Sequence, residues 1–148
     1  MNDARKQQLD ALYEFYFGGT VGANEAAGAT DAEIKELLRH AGKLLSESYI
    51  GFLRHYDNMA DIIWDARQVI RSNFAGTPEV LETHRELYQG QMQIGGEGEA
   101  WDFTLDIHAE SPEQMKVTEW DMSEGKIRRD WENFDAFLDY LIEGMNRK

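Results

Sequence analysis

The sequence predicts an α+β fold, with helices first, an antiparallel meander in the second half and a C-terminal packing helix. Before residue 57, apolar side chains recur three times at i, i+3, i+4 and i+7, the spacing that lines one face of a helix. Trp101, Phe103, Leu105 and Ile107 alternate with Asp102, Thr104 and Asp106, the period of a strand with one covered and one wet face. Near the end, Phe134, Phe137, Leu138, Leu141, Ile142 and Met145 form a helical stripe that needs a sheet to cover.

The first helix is expected over DARKQQLDALYEFYF, with Leu9, Leu12, Tyr13 and Tyr16 on its apolar face and Gly18-Gly19 at its end. Gly18 to Ala29 is rich in glycine and alanine and lacks periodicity. It is expected as a mobile loop or linker, which divides the chain into residues 1–29 and a domain over 30–148. Thr30 and Glu33 have capping-box spacing and open a second helix whose buried stripe is Ile34, Leu37, Leu38 and Ala41, with Gly42 placed to end it. Ser46 can cap a third helix that buries Tyr49, Phe52, Leu53 and Tyr56.

Beyond Asn58 the pattern turns extended. Residues 59–64 suit a short strand, residues 66–74 are ambiguous, and Thr77-Pro78-Glu79 supplies the cap, first-turn proline and acidic start of a short helix to about Tyr88. The strand around Phe103 is followed by two more, over 114–122 and 126–131, joined by a turn at Ser123-Glu124-Gly125.

Length and charge bound the function. A chain of 148 residues suits one domain with a core of its own. Cysteine is absent, which excludes disulfides, thiolate zinc sites and cysteine nucleophiles and fits a reducing compartment. The first residues lack an unbroken apolar run before a small-residue cleavage site, and no apolar stretch reaches membrane-spanning length, so the expected location is the cytoplasm. Against 28 Asp+Glu stand 15 Lys+Arg, a net charge of −13. Such a field repels phosphate backbones and anionic lipid, disfavours direct nucleic-acid or membrane binding, and favours a basic protein partner. It serves solubility equally well.

No catalytic constellation is legible. His40, His55, His84 and His108 are scattered, and the His-x-Glu spacings at His84 and His108 lack the cysteine half that a zinc deaminase needs. The glycine-rich stretch has no Gly-Lys-Ser/Thr, and no Gly-x-Ser-x-Gly elbow occurs. Glu97, Glu99 and Asp102 lack the alternating ligands and fixed glycine of a calcium loop. The expectation is a non-catalytic protein with no cofactor and no metal.

Gly42 to Asn58 resembles the signature of the SMI1/KNR4, or SUKH, domain family, written roughly L-G-x-x-L-P-x-x-Y-x-x-F-L-x-x-Y-N-G. Gly42, Leu45, Tyr49, Phe52-Leu53 and Tyr56 match in register; Ser46 stands where the family has proline, and Asp57-Asn58 where it has asparagine-glycine. Met92 to Glu99 is similar to the family's glycine-containing central strands, and Trp131 to Leu138 to the start of its closing helix, so the likeness covers about residues 31 to 145. The resemblance implies a mixed, twisted, largely antiparallel sheet flanked by N-terminal helices and a C-terminal helix. It also implies an immunity protein of bacterial polymorphic toxin systems, which binds and neutralises a cognate toxin domain that is often a nuclease. Eukaryotic relatives regulate cell-wall synthesis through protein contacts, and neither enzymatic activity nor a cofactor comes with the likeness.

Glu97, Glu99, Asp102, Asp106, Glu119 and Asp121 lie on or beside adjacent expected strands and are the candidate partner-binding residues. A nuclease attracts phosphates with Lys and Arg, so an acidic inhibitor can imitate that pattern and steer encounter. The expected partner is therefore a basic nuclease toxin; the alternative is a regulatory scaffold of the same fold bound to a cellular partner. Trp64, Trp101, Trp120 and Trp131 are core candidates, and an exposed one would be a contact hot spot. The sequence leaves monomer and dimer both open.

Overall fold

The computed structural model describes residues 1–147. Five helices come first: α1 (Asp3–Tyr16), α2 (Asp31–Ala41), α3 (Glu47–Tyr56), α4 (Ala66–Phe74) and α5 (Pro78–Leu87). Four strands follow, β1 (Met92–Glu97), β2 (Trp101–Leu105), β3 (Val117–Asp121) and β4 (Lys126–Trp131), and α6 (Phe134–Asn146) closes the described chain. The expected α+β class is what forms. The strands make one sheet in the order β1-β2-β3-β4, each neighbouring pair antiparallel.

Local signals set the helix boundaries. Thr30 and Glu33 form a reciprocal capping box on α2, and Gly42 ends it at φ 74°, where a side chain would be strained. Ser46, Asp65, Thr77 and Asn133 cap α3, α4, α5 and α6 by accepting an amide hydrogen bond through their side chains. Residues 66–74, ambiguous by spacing, are helical, with Ala66 and Val69 buried.

The core lies between α6, α3, α1 and one face of the sheet. Phe137 meets Phe103 at 4.9 Å and Trp131 at 5.0 Å between ring centroids, while Phe134 meets Tyr49 at 5.1 Å and Phe52 at 5.8 Å. The signature residues Tyr49, Phe52, Leu53 and Tyr56 are all buried there. Leu9, Leu12 and Tyr13 of α1 join the same core. Arg5 fastens α1 to α6 by ion pairs to Asp135 (3.5 Å) and Asp139 (2.5 Å). Within α3, Gly51 occupies a helix-interior position, which costs about 1 kcal/mol relative to alanine.

Two expectations, on residues 59–64 and on the polar side of β2, need correction. Residues 59–64 form no strand: Met59 makes only isolated bridges to Asp61 and Ile63. That loop instead seals the outer edge of β1, with the Trp64 amide donating to the Ile94 carbonyl at 2.8 Å and the Gly96 amide to the Asp61 carbonyl at 3.2 Å. The approach is so close that a Cβ on Gly95 would sit 1.9 Å from the Ile62 carbonyl oxygen. The stretch from Gly18 to Ala29 is anchored at its end, where the Ala29 amide donates to the Leu53 carbonyl and a Cβ on Gly28 would lie 1.7 Å from the Arg54 carbonyl oxygen. Finally, the polar side of β2 is not wet: Thr104 is fully buried and Asp102 half-buried, under Tyr88 and Trp120.

Candidate functional site

The meander brings two turns to one end of the sheet. The β1–β2 turn and the β3–β4 turn adjoin, and the Met122 amide donates to the Ala100 carbonyl at 2.9 Å. Glu97 and Glu99 stand exposed on the first hairpin; on the second Glu124 is exposed and Asp121 half-buried. Asp121 is held in place by its own turn, accepting from the Ser123 amide (3.0 Å), the Ser123 hydroxyl (2.7 Å) and the Glu124 amide (3.3 Å). The hydroxyl bond, followed by the amides, holds its carboxyl below the usual aspartate range. Trp101, half-buried opposite Asp121, lies under the Arg128 guanidinium at 4.1 Å from the ring centroid. The hairpin end thus presents four carboxylates around an aromatic shelf, with Lys126 and Arg128 beside them.

Asp102 points into the sheet's second face. It pairs across the strands with Trp120, whereas Glu119 pairs with Phe103, so alternation sends Asp102 and Glu119 to opposite faces. On its face Asp102 accepts a hydrogen bond from the Tyr88 hydroxyl, and burial raises its pKa more than that bond lowers it. Tyr88 packs edge-on between His84 (4.7 Å) and Trp120 (5.9 Å), and the indole N–H of Trp120 donates to Thr104 Oγ1 at 2.8 Å. Asn73 completes the network: its Nδ2 donates to the Val69 and Gln93 carbonyls, and its Oδ1 accepts from the Gln93 amide. Those partners orient the amide, so His84 Nε2 carries the proton of the 2.7 Å bond to Asn73 Oδ1. Burial lowers the His84 pKa against the pull of Asp102. This network ties the α5 region to the sheet.

Glu119 is buried on the α6 side of the sheet. At 2% exposure it is held by Arg128 (3.3 Å) and Arg129 (3.0 Å), and Arg129 also donates to the Tyr140 hydroxyl at 2.5 Å. Burial still raises its pKa, ahead of the two arginines that lower it. A buried, paired carboxylate offers little to an incoming partner. Asp106 lies at the other end of the sheet from the two hairpin turns, in the loop before β3, and accepts from the His108 amide. Of the six expected residues, Glu97, Glu99, Asp102 and Asp121 therefore gather at the hairpin end, with Asp102 turned inward, and Glu119 and Asp106 do not join them.

Glu124 belongs to the cluster and sequence reading missed it, although its place in the predicted turn was the available signal. Glu119 also left a trace: it shares strand parity with Val117, which marks the core side. Among the described residues no group of three or more His, Asp or Glu side chains is placed to hold a metal ion. No helix among them is long and apolar enough to cross a membrane. Comparison of the chain with known protein families and with curated proteins finds no match.

Proposed function

We propose that this chain is a non-catalytic immunity protein of the SUKH type, which binds and neutralises a cognate basic toxin domain, a nuclease, through the acidic hairpin end. The observation that carries the reading is the meeting of Glu97, Glu99, Asp121 and Glu124 on two adjoining turns of a chain with net charge −13. Carboxylates arranged this way attract the Lys and Arg residues with which a nuclease holds phosphates, and they raise the rate of encounter. The family-like signature on α3 supports the same reading, since its aromatic positions are spent on the core and leave recognition to the surface. The site would need no cofactor, and location in the cytoplasm, where a nuclease toxin acts, fits the cysteine-free composition.

The test is co-expression in bacteria with the toxin-like domain encoded beside the gene, scored by survival and co-purification. Survival with a 1:1 complex is expected, with affinity falling between about 50 and about 500 mM salt and dropping at least about tenfold in a Glu97→Lys, Glu99→Lys variant. Equal affinity at both salt concentrations would remove the acidic surface from the argument. Cell death without binding favours the second reading, a regulatory scaffold of the same fold whose partner is a cellular protein.

A further inference from the structure

One side of α3 lies open between two grooves. The first, about 690 Å³, is bounded by the opening turns of α1, α3 and α6 and floored by Leu9 and Leu138. The second, about 530 Å³, runs between α3 and the Pro112 turn and is walled by Leu38, Leu44 and Ile50. Glu47 and Gly51 line both, so the two form one trough that crosses α3 at Gly51. Leu44 stands on its wall 71% exposed.

Gly51 has no reason within the described chain to be glycine. It is absent from the positive-φ residues, and a Cβ built there would meet nothing within 4 Å. Glycine weakens a helix interior, so a bare position on the trough floor marks a place where another backbone comes close. Gly144, the other helical glycine with open space, sits near the end of α6 and lines neither groove. The trough also has a sign. Glu47, Glu113, Asp135 and Asp139 line it against Arg5 and Arg54; with Asp135 and Asp139 engaged by Arg5, Glu47 and Glu113 stand opposite Arg54 and leave the trough acidic.

We propose that this trough receives a cationic amphipathic helix of a partner protein. The helix crosses α3 at Gly51, packs its apolar stripe on Leu44 and Ile50, and places Lys or Arg beside Glu47 and Glu113. None of the hairpin carboxylates lines this surface, so the inference stands independently of the immunity reading.

The test uses the full chain and a labelled helical peptide of about 18 residues, with Leu at i, i+3, i+4 and i+7 and Lys elsewhere, beside a twin carrying Glu in place of Lys. Fluorescence anisotropy at physiological salt is expected to show binding of the Lys peptide only. Gly51→Gln should weaken it at least about tenfold while raising Tm by about 2–4 °C, because the helix gains propensity as the trough fills. Gly51→Ala should weaken binding by less while raising Tm at least as much, since alanine is the better helix former and its single methyl fills little of the trough. A Glu97→Gln, Glu99→Gln variant should bind within about twofold of the parent, since general attraction to the acidic chain contributes little at that salt. Unchanged binding by Gly51→Gln would overturn the proposal, as would loss of binding in the hairpin variant. Concentration-dependent dimerisation abolished by Gly51→Gln would overturn it too, by making a second copy the occupant.

Discussion

Replacing Arg128 and Arg129 together by alanine strands a buried carboxylate. Glu119 is 2% exposed, and these two guanidiniums, at 3.3 and 3.0 Å, are its ion-pair partners. Removing the partner of a buried charge commonly costs 3–5 kcal/mol. Here the arginine side chains keep 41% and 33% exposure, so water already screens part of the pairing. The expected loss at pH 7 is therefore about 2–3 kcal/mol. In urea this moves the unfolding midpoint down by about 1–2 M. Some of the loss is packing, because Arg128 covers Trp101 and Arg129 covers Tyr140. Adding Glu119→Gln separates the two contributions, and it should recover more than half of the deficit.

The pH dependence supplies a second check. Burial raises the Glu119 pKa, so the folded chain holds that proton to higher pH than the unfolded chain does. Stability from this group is thus highest below the ordinary glutamate value and falls as pH rises through the raised one. Without the arginines that window extends further upward. The deficit of the double variant should be largest at pH 7 and shrink as the pH falls towards about 4.5. A deficit that is flat across this range, with no recovery by Glu119→Gln, would refute the stranded-charge reasoning and assign the loss to packing.

Three more perturbations test separate parts of the fold. The Tyr49 hydroxyl is buried without a hydrogen-bond partner among the described residues, so Tyr49→Phe should leave stability unchanged or raise it by up to about 1 kcal/mol in thermal melts. Gly28→Ala forces a Cβ against the Arg54 carbonyl and should cost about 1–3 kcal/mol by urea denaturation; a parent-like midpoint would mean that the segment before α2 moves aside freely. Tyr88→Phe removes the donor to Asp102 and should cost about 1–2 kcal/mol at pH 7. That cost should diminish as acid protonates Asp102, whose pKa burial has raised, with Trp120 fluorescence as the probe.

Helices α2 and α3 were legible because each carries both a periodic face and a cap, at Thr30-Glu33 and at Ser46 before Tyr49; α1 and α6 showed their periodic faces and α5 its capped start, while α4 stayed ambiguous. The strand at Phe103 was legible through its alternation. Strand β1 gave no such signal: both of its faces are covered, so Met92 to Gly96 are all buried, and two of its residues are glycine. Only the likeness to the family's central strands marked it as extended. Residues 59–64 misled because β-favouring composition records an extended, buried course, and a loop laid along a strand edge has the same course. For the site, the charge was plain in the composition but its sorting was not. Which carboxylate faces out depends on register, and the cross-strand pairs Asp102–Trp120 and Phe103–Glu119 decide it. The polar network of His84, Asn73 and Asp102 joins three segments that no local pattern relates.

The union of α1 with α6 reaches beyond stability. Arg5 and Asp139 are 134 positions apart, and Leu9 and Leu12 enter a core that Phe134 and Phe137 help to build. During synthesis α1 emerges long before its counterpart and waits with an apolar face uncovered, as does the side of the sheet that α6 later shields. Helix α1, made before the other described helices, is among the last to settle, and its docking spans a large loop, which slows folding. An interrupted synthesis ending before residue 134 would release a chain with Phe103, Leu105 and Val117 unshielded, a natural substrate for chaperones and proteases. The supply of competent protein is then set by completed translation, with partial products cleared before they accumulate.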